Sequence, residues 1–499
     1  MIGERLRDRL AGARTIDQRR AVIDIGSNTV RLVVYGGPPR APAVLWNEKV
    51  SARLGRDLAK TGRIPDSAME EALAGLARYA QIIDDLGIEQ IEAVATAAPR
   101  EASNGAQFLA IVKTLGLDVR LLSGEDEARA SAEGAIGAFP GISGLVADLG
   151  GGSLELIPIA DGACGAGVSL PLGTLRLPAL RVGEGFGKRV STLLDRAALP
   201  GGDARPLIMI GGTWRAFASY AMRAADHPLT DPHGYRLDPD AAQTLARIVQ
   251  RSEPARLADV RGITAMRAEK LPDAAALLRV MLDRLQPSGL VFSSWGLREG
   301  LHFHRLDAAT RAQDPLIEGV AAFAGEVSTG MASARQIAEW IGAVGPAEPA
   351  AARIRLAAAH LAPVLHRVEP NLRVAQGAEW ALDKRWIGIE PHERAILAAM
   401  LLGSLGGADW PRRLALLATD TQLAGARATG QALRLAQRLG GGAGAALAAS
   451  SLGVAGNTLV LTLSAQYAVL ATPSVGKDLA ALAQSLSLDP ELMIADHPR

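Results

Sequence analysis

Two stretches, AVIDIGSNTVRLVVY at Ala21–Tyr35 and VADLGGGSLEL at Val146–Leu156, share one design. Each runs an apolar strand into an aspartate, breaks on a short Gly/Ser turn and resumes as a second strand. Strands of this kind alternate with helices along the chain, which means an α/β layer. Meeting the same design twice makes the chain a degenerate internal repeat. A duplicated α/β unit sets its loops facing each other across a cleft, where ligands prefer to sit.

The intervening sequence supports alternating layers. PDSAMEEALAGLARYAQIIDDLGI carries helical apolar spacing behind a helix-start signal at Pro65-Asp66-Ser67, and IEAVATAAPRE then predicts a strand and a loop. GAQFLAIVKTLGL predicts a helix, and DVRLLSGEDEA a strand entering an acidic helix start. In the second unit PLIMIGGTWRAFASYAM and GLVFSSWGLREGL each predict strand, turn and helix. After about His304 the chain turns Ala/Leu/Arg-rich with helical periodicity, as in IRLAAAHLAPVLHRV. The last 45 or so residues predict a small hairpin, including NTLVLTL, and a helix over KDLAALAQSL.

Three loops follow apolar strands and are built from residues without bulk: Gly26-Ser27-Asn28, Gly150-Gly151-Gly152-Ser153 and Gly211-Gly212-Thr213. Where Cβ atoms are absent, backbone N–H groups can turn toward an anion and approach it closely. One such turn reads as a plain hairpin; three at matching strand ends point to phosphate. Asp24 and Asp148 stand just before their loops, and Glu155 lies seven residues beyond Asp148. Hard divalent cations take oxygen ligands, and Mg²⁺ commonly uses one or two carboxylates plus water and phosphate. In SGEDEAR, Glu127 is a candidate to take a proton from attacking water. For Glu125 and Asp126, charge at a helix start is the simpler account, and spacing alone does not separate Glu127 from it.

Composition narrows the partners. The 499 residues exceed one ordinary core and suggest about two to four domains. With 48% hydrophobic and 21% charged residues, the chain has the balance of a folded soluble protein. Only 4% is aromatic, which disfavours stacked recognition of single-stranded nucleic acid, and a formal charge of +1 gives no global field toward nucleic acid or membrane. The single cysteine, Cys164, reads as a small buried hydrophobe in a reducing compartment. The charged N-terminal segment MIGERLRDRLAGARTIDQRR lacks the apolar core of a signal peptide. No charge occurs between Arg438 and Lys477, yet Gly, Ser, Thr and Asn interrupt that segment, so no stable membrane insertion is expected. The expected location is cytoplasmic.

The segments AVIDIGSNTVRLVV, ATAAPREASNG, LLSGEDEARAS, VADLGGGSLEL, SLPLGTLRL, IMIGGTWRA and SSWGLREG occur in order over about the first 300 residues. Together they resemble the exopolyphosphatase and guanosine pentaphosphate phosphohydrolase family, and most of all a bacterial exopolyphosphatase. The resemblance implies a duplicated actin-like (ribonuclease H-like) ATPase fold in subdomains 1–130 and 131–309. It further implies an all-α HD-like domain over 310–455 and a small α+β subdomain over 456–499. It implies Glu127 as the catalytic base, Asp148 and Glu155 with Asp24 as the acidic metal site for Mg²⁺ or another divalent cation, and Arg100 at the phosphate. The three loops carry over as phosphate cradles. Arg267, Lys270 and Arg298 are candidates for a polyphosphate track, beside the simpler reading of solvated surface charge. A homodimer is also implied.

Some features depart from the family pattern. Asp126 stands where glutamate is common, Trp214 is bulky enough to narrow the surroundings of its loop, and LPDAAALL lacks the usual glycines. The helical region contains no His-Asp dipeptide; His360 and His366, with Glu369 nearby, read as packed helix residues, so no second metal centre is expected. The expected activity is metal-dependent, processive hydrolysis of terminal phosphoanhydride bonds of inorganic polyphosphate. Guanosine pentaphosphate 5′-phosphohydrolase is the near alternative, with guanosine penta- or tetraphosphate as ligand. A non-enzymatic nucleotide-binding regulator is the alternative of another class. A sugar kinase would need an acceptor pocket that no motif supplies.

Overall fold

The computed structural model describes residues 19–197, 205–326, 328–345, 348–406 and 410–495. The N-terminal segment read above for a signal peptide lies almost wholly outside them. The chain divides into two compact units, one of residues 1–227 and 231–313 and the other of residues 228–230 and 314–499.

Unit 1 holds two sheets. The first uses β1 (Arg20–Ile25), β2 (Val30–Gly36), β3 (Ala43–Val50), β4 (Gln90–Ala95) and β5 (Val119–Leu121) in the order β3-β2-β1-β4-β5. The β1-β2-β3 part is an antiparallel meander, while β4 and β5 join in parallel. Helix α1 (Asp66–Asp85) follows the meander, α2 (Gly105–Thr114) precedes β5, and α3 (Gly124–Ala138) follows it. The second sheet repeats the scheme with β6 (Gly144–Leu149), β7 (Leu154–Ala160), β8 (Ala163–Cys164), β9 (Val168–Leu170) and β10 (Leu207–Ile210). Helix α4 (Gly212–Ala224), β11 (Arg236–Leu237), α5 (Ala265–Leu285), β12 (Leu290–Ser293) and α6 (Leu297–His304) complete it. Again a meander starts the sheet, and β10 and β12 continue from β6 in parallel. The repeat read from two short motifs therefore extends to strand order.

Side-chain alternation explains the layering. On β1, Ala21, Ile23 and Ile25 point to a core with Tyr79 of α1 and Phe108 of α2, whereas Val22 points to one with Ala130 of α3 and Leu301 of α6. Both faces are buried, as the apolar run demands. Helix α1 meets its core with Met69, Ala72, Leu76, Tyr79 and Ile83, the 3- and 4-residue spacing of one helical face. Helix α3 turns Ala128, Ala132 and Ala135 toward the second sheet, against Val146, Ile157 and Ile208. Burying each large aliphatic side chain stabilises by about 1.5–3 kcal/mol.

Helices α3 and α6 cross with their backbones nearly touching. A Cβ added at Gly300 would lie 1.7 Å from the Ala130 carbonyl oxygen, and one at Gly134 would lie 2.3 Å from that of Gly296. Trp214, expected to crowd its loop, is instead fully buried in the core on α4. Half-buried Cys164 has its thiol pKa pushed up to about 11 by burial, in keeping with an inert side chain.

Unit 2 is helical, with α7 (Pro315–Ala324), α8 (Ala334–Trp340), α9 (Pro349–Leu365), α10 (Arg373–Leu382), α11 (Pro391–Leu405) and α12 (Asp420–Gly440). It ends in β13 (Ser450–Ala455), β14 (Thr458–Ser464), α13 (Pro473–Leu486) and β15 (Asp489–Ala495). The hairpin β13-β14 starts several residues before residue 456, and β15 adds a third strand parallel to β14 that the sequence reading lacked. DPELMIA has no period-two pattern, so only the ladder reveals it. No helix among the described residues is long and apolar enough to cross a membrane.

Candidate phosphate-handling site

In unit 1 a cavity of about 250 Å³ opens where the two repeats face each other. Its wall includes all three Gly-rich loops, Asp24, Glu127, Asp148, Glu155, Arg267, Lys270 and Arg298. Of the residues singled out from sequence, Arg100 is outside the wall.

The loops are built alike. The Gly26 N–H donates to the Thr29 carbonyl at 3.0 Å, and the Gly150 N–H donates to that of Ser153 at 3.0 Å. Their tips abut: a Cβ at Gly152 would lie 3.0 Å from Ser27 Oγ and one at Gly151 3.2 Å from Ser27 Cβ. The segment SLPLGTL braces the Gly150–Ser153 loop, because the Thr174 and Leu175 N–H groups donate to the Gly150 and Gly151 carbonyls at 3.0 and 2.9 Å. The N–H groups of Ser27, Asn28, Gly151 and Gly152 have no acceptor among the described residues. Gly211, at φ +116°, starts α4 without a side-chain cap, so first-turn amides of that helix also face the cavity.

Glu127 is positioned by its neighbours at the start of α3. Ser123 Oγ accepts from the Asp126 N–H at 3.0 Å, and the Asp126 carboxylate accepts from the Ser123 N–H at 3.3 Å, forming a reciprocal cap. That bonding holds the Asp126 carboxyl below its ordinary range. One residue on, Glu127 turns inward, its side chain 12% exposed. Burial raises its pKa to about 7, with Asp148 and Asp24 adding to the rise and Arg100 opposing it. Arg100 Nη1 donates to Glu127 Oε2 at 3.2 Å and to the Leu122 carbonyl at 2.7 Å. The resemblance implied a phosphate contact for Arg100; in the structure its Nη1 holds Glu127 and the Leu122 carbonyl.

The other acids are buried as well. Asp148 accepts from Ser131 Oγ, and Glu155 accepts from Ser169 Oγ at 3.0 Å. Burial raises the pKa of Asp24, Asp148 and Glu155, and Glu127 and Asp148 push Glu155 further. Asp148 and Glu155 are direct partners across β6-β7. The corresponding pair across β1-β2 is Asp24 and Arg31. The duplication thus keeps the aspartate and exchanges the second carboxylate for a guanidinium.

The sequence reading missed Arg31, Lys49 and Arg215. With Arg267, Lys270 and Arg298 they make six cations in the wall against four carboxylates. Arg31 was findable, because it stands seven residues beyond Asp24 as Glu155 stands beyond Asp148. Lys49 and Arg215 carry no such signal. Arg31 Nε and Ser294 Oγ are buried without a hydrogen-bond partner, and both residues line the cavity. Such orphaned donors are costly unless a ligand meets them. Lys270 Nζ donates to Asn28 Oδ1 at 3.0 Å, and burial lowers its pKa to about 8. Burial opposes the charge on Arg298, but Glu299, Asp24, Tyr35 and Asp148 outweigh it and raise its pKa. Glu299 is itself fixed by Tyr35 Oη–H, which donates at 2.6 Å. None of Arg267, Lys270 and Arg298 is the solvated surface charge of the simpler reading.

Among the described residues no three or more His, Cys, Asp or Glu side chains form a ready metal cage. A Ppx/GppA phosphatase family model matches residues 33–309. The chain belongs to that family. Exopolyphosphatase 1 of Mycobacterium leprae is 29% identical over 307 residues, which are 58% of this chain and 90% of that protein. The PPX-GPPA enzyme of Aquifex aeolicus is 26% identical with a TM-score of 0.50, over 57% of this chain and 99% of that one. An exopolyphosphatase from Cytophaga hutchinsonii shares the fold, with 24% identity and a TM-score of 0.51 over 56% and 96% of the two chains. The family match covers most of unit 1 and ends at residue 309, before the 314–499 segment that makes up nearly all of unit 2.

Proposed function

We propose that the chain is an exopolyphosphatase, hydrolysing the terminal phosphoanhydride bond of inorganic polyphosphate. The observation that carries this reading is a cationic cavity with orphaned donors, Arg31 Nε and Ser294 Oγ, next to a buried carboxylate whose pKa is near neutral. Supporting it, a relative in the same family bears the name exopolyphosphatase. No aromatic side chain lines the cavity among the described residues, so a base would lack a stacking platform. That favours an inorganic chain over guanosine pentaphosphate.

In this reading the loop amides, the first turn of α4, Arg31 and Ser294 hold the terminal phosphoryl group. Glu127 removes a proton from water as its oxygen bonds to phosphorus, the bridging P–O bond breaks, and the shortened chain leaves with the electron pair. Arg100 orients Glu127. Arg267 and Lys270 extend the anion path, and Arg298 counters the charge of Asp24 and Asp148. Asp148 and Glu155, with Asp24 near them, offer only oxygen donors, which suits Mg²⁺. Bound there, the cation would neutralise phosphoryl charge. The fold is read as a duplicated actin-like core over 1–130 and 131–309, with a degenerate HD-like domain over 310–455 and a small subdomain over 456–499.

Phosphate release should be faster from long polyphosphate than from guanosine pentaphosphate, measured as kcat/KM on both. A preference for guanosine pentaphosphate would replace this reading with the alternative phosphohydrolase.

Two further results are expected. Glu127 must be ionised to act as base, so kcat/KM should rise with pH through about 7 and level off above it; a profile flat from about pH 6 to pH 8 would remove Glu127 from the role. The second concerns stability. The four acids have folded pKa values raised above their ordinary ones, so the stability they contribute is complete below those ordinary values and is lost as pH rises through the raised ones. Mg²⁺ should offset that loss, raising Tm more at pH 8 than at pH 5, with about 2.7 kcal/mol expected at a hundredfold excess over Kd. An equal shift at both pH values would contradict binding at these carboxylates.

A further inference from the structure

Unit 2 contains a cavity of about 700 Å³ that shares no residue with the one in unit 1. Its size falls in the range of small-molecule sites. The deeper wall is aliphatic, with Ile337 and Ala334 of α8, Ala359 and Val364 of α9, and Leu405 of α11. The rim is basic. Arg367 and Arg373 lie just after α9 and at the start of α10, while Arg434 and Arg438 lie on α12. Arg434 and Arg438 share one carboxylate, Asp478, with Arg434 Nε 3.2 Å from Asp478 Oδ1. Arg373 donates to the Val368 and His366 carbonyls at 2.8 and 3.0 Å. No carboxylate among the described residues pairs with Arg373 or Arg367. The one acid in the described wall, Glu326, is exposed.

A further polar group marks where an anion would sit. Gln437 Oε1 accepts from His366 Nε2–H at 2.6 Å, so its carbonyl is used. Its Nε2 is buried with no hydrogen-bond partner among the described residues. The helical region was expected to hold only packed histidines, yet His360 and His366 both line this space, and His366 is exposed.

We infer that this cavity binds an aliphatic anion, a medium-chain carboxylate or alkyl phosphate, with the chain along the Ile337–Val364 wall and the head among Gln437, Arg367 and Arg373. Charge complementarity selects the sign of the head, since excess guanidinium accepts carboxylate or phosphate oxygens in bidentate fashion. The wall selects the tail: Ile337, Ala334, Ala359, Val364 and Leu405 offer methyl and methylene groups. Inorganic polyphosphate matches the rim but leaves the aliphatic interior unfilled.

Calorimetric titration of the full chain tests this with decanoate and decyl phosphate, which separate the two head groups, and with decylamine, guanosine triphosphate and inorganic triphosphate. Saturable one-site binding of decanoate or decyl phosphate, and none of decylamine, is expected. Arg367→Glu, at an exposed position, should weaken that binding by about tenfold or more, the loss of one charged hydrogen bond. Val364→Trp should weaken it by filling the space, with Tm reporting that the chain remains folded. Binding of decylamine equal to decanoate, unchanged affinity in both variants, or preference for either triphosphate would overturn the inference. None of these readouts depends on polyphosphate hydrolysis.

Discussion

Glu127→Gln should lower phosphate release from polyphosphate by about 10²–10⁴-fold, the usual contribution of a positioned base. The substitution is close to isosteric, and the amide oxygen can still accept from Arg100, whose Nη1 lies 3.2 Å from the carboxylate in the native chain. Stability should not fall at pH 8. Burial has raised the Glu127 pKa from 4.5 to about 7, so its ionised form is a cost to the fold above that value, and glutamine removes the cost. A variant that is folded, has an unchanged or higher Tm at pH 8 and has lost turnover separates a chemical role from a structural one. Unchanged turnover would exclude Glu127 as base, whereas absence of turnover in the native chain would favour the regulator reading, in which unit 1 binds an anion without cleaving it.

Gly300→Val should produce the largest loss of stability among single changes considered for unit 1. The added Cβ would meet the Ala130 carbonyl oxygen at 1.7 Å, and backbone atoms cannot rotate away as a side chain can. Overpacking of this kind costs about 1–3 kcal/mol and occasionally more, and the upper end is expected here. Because α3 also carries Glu127, forcing α3 and α6 apart should remove activity in the fraction that stays folded. Gly187→Ala is the control: no atom lies within 4 Å of its added Cβ, and it sits in the helix Phe186–Arg196. It should be neutral or stabilise by up to about 1 kcal/mol through helix propensity. Urea denaturation of the two variants measures the contrast; equal midpoints would mean that the α3–α6 crossing has room to relax.

The close approach at Gly300 and Gly134 also explains why SAEGAIGA and LREG look as they do. Small residues in those segments are poor evidence of function by themselves, since glycine in a helix lowers its intrinsic stability. Their spacing on α3 and α6 matters because it lets two backbones approach. That approach carries Glu127 on one helix and Arg298 and Glu299 on the other into the same region. The functional geometry is therefore set by what the helices lack.

Sequence by itself determined the repeat, the strand-turn-strand hairpins and the alternation of strands and helices in the segments of unit 1 it read. These follow from local physics: apolar runs buried on both faces, turns that need residues without Cβ atoms, and helices with one apolar face. It also marked the three Gly-rich loops and the carboxylates Asp24, Asp148 and Glu155, because spacing within a hairpin fixes which residues oppose each other. Tertiary structure decided what depends on distance between elements far apart in the chain. It put Arg100 behind Glu127, Trp214 into the core, and Lys49 and Arg215 into the cavity wall. It also separated Glu127 from Asp126, one residue away, by capping the helix with the one and burying the other. Adjacent carboxylates in sequence are chemically alike. Only the packing around each fixes its burial, its charged partners and hence its proton affinity.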